Sequence, residues 1–275
     1  MGCLQPVSLL RTYPKPEPES THRAYKIAPE IAPQALSLDR MLHVSTVAHY
    51  FNYHDLDTWA LDIIATYFDH LSTDIPKFIS LSPALVDRAL KRAKLMKHDT
   101  LHFAIANRWR DALHQELVTP ANVIATAERS EMPLLRAETY YYVLLKGPTF
   151  WNHYDTFPRY YREVLLSGRR HIQRFWADTK QHLISLDSHK PHLCSPPSDS
   201  THKSKIRPLW AGLLEQVETT VTDAPDKLQP LRDLLGRLKE SEEVPRGCRR
   251  KCIVHAQFVV DGYINELRDR LVEFF

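Results

Sequence analysis

Residues 56–71 read LDTWALDIIATYFDHL, and their apolar side chains recur at helical spacing. Intervals of three and four residues place these side chains on one stripe of an α-helix. The stripe consists of Leu56, Trp59, Ala60, Ile63, Ile64, Tyr67, Phe68 and Leu71. An apolar stripe of this width predicts a helix that packs against a hydrophobic core.

The same spacing recurs on both sides of this stretch. Residues 38–51 form a broad apolar arc, which predicts a helix that is buried over much of its circumference. Two dipeptides combine a capping hydroxyl with proline at the first helical position, and each predicts a helix start: Ser82-Pro83 and Thr119-Pro120. No segment of useful length alternates with period two. We therefore predict an all-α fold of short antiparallel helix pairs, with little or no sheet.

Proline-rich polar stretches divide the predicted helices. Residues 12–35 hold five prolines, whose spacing prevents a continuous helix: Pro14, Pro16, Pro18, Pro29 and Pro33. A second stretch, residues 186–208, is rich in proline and serine and is predicted to be a disordered loop. A third break lies at residues 148–158. It predicts two helical subdomains, residues 1–150 and 151–275.

Composition and charge exclude several classes of protein. The formal net charge of +3 on 275 residues lacks the strong basic bias of a nucleic-acid-binding protein. No apolar run approaches the ~18 to 20 residues that span a bilayer, and the N-terminus does not match a secretory signal. Four cysteines in a chain of this length do not make a secreted disulfide scaffold. We expect an intracellular protein, cytoplasmic or nuclear or both.

Catalytic motifs are absent from the sequence. It contains no GxGxxG, P-loop, GxSxG or HExxH pattern, so we predict neither an enzyme nor a small-molecule substrate, and expect no cofactor. Asp55 and Asp57 could form a paired-carboxylate site, but we interpret them as first-turn acids that complement the helix dipole. The run Tyr140-Tyr141-Tyr142 is interpreted as core, with one or two rings inward and the rest at a rim.

The cysteines offer one candidate metal site. Cys248 and Cys252 are four residues apart and share a face of a predicted helix, and Cys194 and His202 lie in the predicted loop. Together these four side chains could form a tetrahedral zinc site. Two alternatives remain open. Cys252 could be a buried apolar thiol with the others incidental, or neighbouring basic residues could activate Cys248 for redox chemistry.

Two further features suggest other functions. His98 and His102 are four residues apart on one predicted helix and could ligate a metal, which would make the chain a metal-dependent enzyme. The second feature is a basic cluster that could serve nuclear import or bind phosphate, although such clusters are more often solvated faces. Its members are Arg246, Arg249, Arg250 and Lys251.

Residues 38–44 and 54–62 resemble the closing helices of BTB/POZ domains, above all those in families of mushroom-forming basidiomycete fungi. In those families a helix with a Leu-Leu-x-x-Ala-x-x-Tyr-like pattern leads into a helix with Leu-x-x-(Trp or Leu)-Ala. The matching residues here are Met41, Leu42 and Tyr50, then Leu56, Trp59 and Ala60. Residues 82–147 resemble the helical extension that follows, and residues 162–168, REVLLSG, are similar to an Arg-x-x-Leu-Leu-Ser-Gly helix in the C-terminal region.

The resemblance implies a function in protein–protein interaction. BTB/POZ domains form homodimers and recruit partners such as ubiquitin-ligase scaffolds, so we expect a protein partner or a second copy of the chain, and an adaptor or scaffold role. A BTB domain begins with a β portion that builds its dimer interface. The matching residues start after that portion, and we expect either an N-terminally shortened relative or a fragment.

Overall fold

The computed structural model describes residues 37–152, 157–189, 211–219, 226–240 and 246–275. Within these ranges, the side chains of residues 184–189, 239–240 and 246–252 lie outside the description. Helices account for 86% of the described residues, and none of these residues forms a strand. This result confirms the prediction of an all-α fold. None of the described helices is long and apolar enough to cross a membrane.

The described residues divide into two compact units, the first ending at Arg108 and the second beginning at Trp109. In the first unit, the first two helices are joined by residues 51–53 and pack along each other. The fourth helix packs against the first. The helices of this unit are α1 (Leu38–Tyr50), α2 (His54–His70), α3 (Ile75–Ile79), α4 (Pro83–Met96) and the first part of α5 (Asp99–His114), with a 3-10 turn over Leu71–Thr73.

The core-facing side of α2 is rotated by about one residue from the predicted stripe. Its buried residues are Asp57, Ala60, Leu61, Ile64, Ala65 and Phe68. Leu56, which belongs to the predicted stripe, is 40% exposed. The rotation brings the carboxylate of Asp57 into the interior, whereas the sequence predicted only a first-turn acid that complements the helix dipole.

The second unit contains the end of α5 and the remaining helices. Helix α7 lies at its centre and packs against α6, α8, α9 and α13, while α11 and α12 pack together as a pair. The helices are α6 (Pro120–Arg129), α7 (Pro133–Lys146), α8 (Pro148–Trp151), α9 (Arg159–His189), α10 (211–219), α11 (Leu228–Glu240), α12 (Arg246–Asp269) and α13 (Leu271–Phe274).

An aromatic cluster forms part of the core of the second unit. The ring of Tyr140 on α7 stacks on that of Phe275, with centroids 5.5 Å apart and planes at 12°. Phe275 in turn lies against the backbone of Gly168 on α9, where an added methyl group would overlap its ring. Tyr140, Tyr141 and Tyr142 are all buried, so the expected rim position is wrong for this run.

Local capping signals set several helix boundaries. Helices α4 and α6 begin at Pro83 and Pro120, as their Ser-Pro and Thr-Pro pairs predict. The hydroxyl of Thr119 accepts a hydrogen bond from the backbone N–H of Asn122 at 3.3 Å, whereas that of Ser82 caps no N–H group. Gly147 ends α7 with a φ of 88°, a left-handed value that favours glycine.

The predicted subdomains and connectors fall partly beyond the described residues. The expected boundary at residue 150 falls inside the second unit, and the division into 1–150 and 151–275 stays a prediction. Helix α9 continues to His189, so residues 186–189 of the predicted loop are helical. Residues 190–208 of that loop and the proline-rich residues 12–35 lie outside the described part of the chain.

Candidate interaction surface

The turn between α1 and α2 is set by backbone hydrogen bonds. The N–H of Tyr53 donates to the carbonyl of Ala48 at 2.7 Å, and the N–H of Asn52 donates to that of His49 at 3.0 Å. These two bonds are those of a Schellman motif, which needs a left-handed residue after the helix. Asn52 fills that position with a φ of 58°, and asparagine tolerates this backbone better than most side chains.

Three aromatic side chains project from this turn, which we name the aromatic turn: Tyr50, Phe51 and Tyr53. They are 79%, 59% and 61% exposed, and Val47, one helical turn earlier, is 54% exposed. The rings of Tyr50 and Phe51 meet edge to face with centroids 5.1 Å apart, and those of Phe51 and Tyr53 lie 6.3 Å apart. The turn therefore presents one contiguous aromatic surface to solvent.

A buried ionic network joins the two helices that the aromatic turn connects. The guanidinium of Arg92 on α4 donates from Nη2 to Asp57 Oδ2 at 2.5 Å and from Nε to the Ser45 hydroxyl at 2.7 Å. That hydroxyl donates to Asp57 Oδ1 at 2.6 Å. At the rim, His49 Nδ1 lies 3.4 Å from Asp57 Oδ2. The network thus joins α1, α2 and α4, and its members His49 and Asp57 lie one and four positions from the aromatic turn in the sequence.

The members of this network in the core of the first unit are shielded from solvent. Ser45 and Asp57 are fully buried, and Arg92 is almost so. The Ser45 hydroxyl donates to the Asp57 carboxylate and accepts from Arg92, so its hydrogen bonds stay within the buried network. Charges that are paired and hydrogen-bonded in this way fix the orientation of the elements that carry them.

Buried polar pairs in the second unit are also enclosed by protein. The Tyr141 hydroxyl donates to the carboxylate of Asp226, which accepts the backbone N–H of Leu228 at 2.9 Å. Burial raises the pKa of both side chains above their usual ranges. Arg110 Nε lies 2.5 Å from Glu138 Oε2. Burial raises the pKa of Glu138 although Arg110 acts in the opposite direction.

The structure describes the predicted zinc ligands only in part. Cys194 and His202 lie outside the described residues. Cys248 and Cys252 lie on the backbone of α12, but their side chains are not described. Among the side chains that are described, no group of three or more His, Cys, Asp or Glu residues could hold a metal ion. The zinc site stays a prediction.

The histidine pair proposed as a metal site has a different arrangement from the predicted one. His98 precedes α5 instead of lying on it. Its Nδ1 accepts the backbone N–H of Leu101 at 3.2 Å, which assigns the proton to Nε2, and Nε2 lies 3.0 Å from Asp62 Oδ1. His102 lies on the helix, and burial lowers its pKa. Both ring nitrogens of His98 are therefore engaged. Because Nδ1 accepts an N–H group from the first turn of α5, the side chain acts here as a helix cap.

The apolar arc of α1 is wider than the face that the helix buries, and this excess width was the sequence signal for the aromatic turn. The buried residues of α1 are Leu38, Met41, Leu42, Ser45 and Ala48, which share one face. Val47 and Tyr50 fall outside that face although they belong to the predicted apolar arc. An arc wider than one contact face leaves apolar side chains in solvent unless a second neighbour covers them.

No protein-family model, no curated protein and no solved structure matches this chain.

Proposed function

We propose that this chain is a non-catalytic interaction module that binds a protein partner through the aromatic turn. The observation that carries the proposal is the exposure of Tyr50, Phe51 and Tyr53 on a turn between two helices that a buried ionic network joins. In a monomeric protein, contiguous exposed apolar surface marks a site of interaction more often than single scattered side chains do.

The residue types suit a binding site. Tyrosine and phenylalanine are enriched at protein interfaces, and tyrosine is among the residues that dominate binding energies. A tyrosine ring supplies a large contact area and a hydroxyl, and ordering it restricts only two side-chain torsions. The Schellman motif and the network around Asp57 hold the backbone in place before a partner arrives, which lowers the entropic cost of binding.

The resemblance to BTB/POZ domains supports the same class of function. The aromatic turn joins α1 and α2, the two helices that carry the resemblance, and Tyr50 is one of the matching residues. We propose an adaptor or scaffold role inside the cell, in which the first unit contacts a partner and the second unit provides further helical surface. This role requires no catalysed reaction.

A selection experiment tests the proposal. The full-length chain is immobilised and challenged with a phage-displayed peptide library, in parallel with a variant that carries Tyr50→Ser, Phe51→Ser and Tyr53→Ser. Serine at position 53 can still cap α2. We expect peptides that bind the wild-type chain and bind the variant at least about thirty-fold more weakly, because a hot-spot side chain contributes about 2 kcal/mol or more.

A matched control separates the aromatic turn from general apolarity. Leu117→Ser and Leu145→Ser remove two side chains that are 46% and 45% exposed in the second unit. This double variant should retain every selected peptide at wild-type strength, and circular dichroism should show equal helix content in all three proteins. Failure to enrich any peptide, or equal binding to the triple variant, would contradict the proposed function.

A further inference from the structure

We propose that the aromatic turn is a receptor for a proline-rich peptide and that the chain's own segment Pro14-Lys15-Pro16-Glu17-Pro18 is its occupant. This inference rests on the proposed function and specifies the chemistry of the ligand. The segment lies outside the described residues, and its sequence, the receptor surface and the length of chain between them support the inference.

The exposed groups of the aromatic turn match what a proline-rich ligand offers. A polyproline II segment has no internal hydrogen bonds, and its carbonyl oxygens are open to donors. Such segments bind on surfaces lined with aromatic side chains. Tyr50 and Tyr53 flank Phe51, and neither tyrosine hydroxyl donates to a group in the described part of the chain. Aromatic rings and hydroxyl groups therefore occur together on one exposed turn.

The lack of charged residues in the stretch around the aromatic turn favours a ligand that packs on its rings over one that binds this stretch through ion pairs. Residues 46–54 read TVAHYFNYH and contain no Asp, Glu, Lys or Arg. The segment 14–18 carries one Lys and one Glu, so its net charge is zero. A highly acidic or basic ligand would find no complementary charge within this stretch. A neutral proline-rich segment needs none.

The chain is long enough for the segment to reach the turn. Helix α1 contains 13 residues and begins directly after Ser37, so the turn lies about 20 Å from that point at 1.5 Å per residue. Eighteen residues lie between Pro18 and Ser37, and an extended chain of that length spans up to roughly 60 Å. Attachment to the same chain also raises the effective concentration of the segment, to the millimolar range for short connections.

A titration in trans tests this inference on the full-length chain. The probe is a fluorescent peptide of residues 11–20, RTYPKPEPES, followed by anisotropy. The receptor carries Pro14→Ala, Pro16→Ala and Pro18→Ala, which remove the competing copy. We expect saturable binding that weakens at least tenfold when Tyr50→Ser and Tyr53→Ser are added. Adding Leu117→Ser and Leu145→Ser to the receptor instead should leave binding of the probe unchanged.

Two comparisons identify the occupant. A probe with alanine at its three proline positions should not bind, and the wild-type chain should bind the probe at least tenfold more weakly than the receptor that lacks the prolines. Absence of saturable binding, or equal binding by the wild-type chain, would overturn the inference. Wild-type dimerisation that the proline substitutions abolish would instead assign the surface to a second copy. Peptides selected through the aromatic turn would still support the proposed function if the probe fails.

Discussion

Asp57 and Arg92 are thirty-five positions apart in the chain and form an ion pair in the interior of the first unit, with Oδ2 and Nη2 2.5 Å apart. Ser45 bridges the pair, because its hydroxyl accepts from Arg92 and donates to Asp57. Three helices therefore meet at one set of charges. The aromatic turn lies on the connection between two of these helices, so its backbone depends on this contact.

We expect Asp57→Asn to destabilise the chain strongly. The substitution leaves the Arg92 guanidinium buried without its counter-charge, a loss that costs about 3–5 kcal/mol. Urea unfolding followed by circular dichroism measures the change. Asp55→Asn is the matched control, because Asp55 also lies in the first turn of α2 but is exposed, and its change should stay within about 1 kcal/mol. Equal effects would show that the pair does not hold the helices.

The boundaries of several helices could be predicted because their signals are local. Ser82-Pro83 and Thr119-Pro120 act within one turn of the helix that they start, so the sequence contains the whole interaction. The interior position of Asp57 could not be predicted in the same way. Its partner Arg92 lies on another helix, and an acid followed by an apolar stripe has the same sequence pattern whether it faces solvent or a buried cation.

The candidate interaction surface shows a second limit of the sequence. The apolar arc of α1 includes Met41 and Leu42, which are buried, and Val47 and Tyr50, which are exposed. All four contribute equally to the pattern. Which of them face the core is decided by where α2 and α4 pack, and that placement depends on contacts between residues far apart in sequence. Apolar periodicity therefore identified the helix but not its exposed side.

The buried carboxyl of Asp226 should make the stability of the chain depend on pH. Burial raises its pKa in the folded state above the usual value of 3.8, so the folded chain binds this proton more tightly than the unfolded chain does. The contribution of the protonated Asp226 carboxyl to stability is fully present below the pKa that it has in the unfolded chain. It is lost as the pH rises through the pKa that it has in the folded chain. Stability relative to Asp226→Asn, which does not ionise, should therefore fall from acidic toward neutral pH.

Urea unfolding of both proteins at several pH values from about 3.5 upward measures this difference, starting near the reference pKa of an aspartate. Asp178→Asn is the control, because it makes the same change of side chain at an exposed position on α9. A difference between wild type and Asp226→Asn that rises toward neutral pH would contradict the raised pKa. Tyr141→Phe should make the total loss larger and extend it to higher pH, because it removes the hydrogen bond that stabilises the ionised carboxylate.

Because His98 caps the start of α5, we expect substitutions of this residue to reduce stability by an amount that depends on whether the new side chain can still accept a hydrogen bond. His98→Ala removes the acceptor for the Leu101 N–H and should cost about 1 kcal/mol of unfolding free energy, the typical value for a lost cap. His98→Asn keeps a side-chain acceptor at the same place and should cost less. Thermal unfolding of the two variants compares them directly. A larger loss for asparagine than for alanine would rule out the capping role.

The contact between Gly168 and Phe275 predicts opposite effects for two glycine substitutions. Alanine normally stabilises a helix interior relative to glycine by about 0.5–1 kcal/mol. A methyl group at Gly168 would overlap the ring of Phe275, which is also stacked on Tyr140, so Gly168→Ala should instead destabilise by about 1–3 kcal/mol. Gly236 on α11 has nothing within 4 Å of an added methyl, and Gly236→Ala should stabilise the chain.

Chemical unfolding of the two single variants measures the predicted loss of stability for Gly168→Ala and the predicted gain for Gly236→Ala. Adding Phe275→Leu to Gly168→Ala should recover part of the loss, because a branched aliphatic side chain can move away from the new methyl group while the planar ring cannot. The coupling between the two substitutions, obtained from a double-mutant cycle, should then be favourable by at least about 0.5 kcal/mol. Additive effects would show that the ring of Phe275 does not rest on α9.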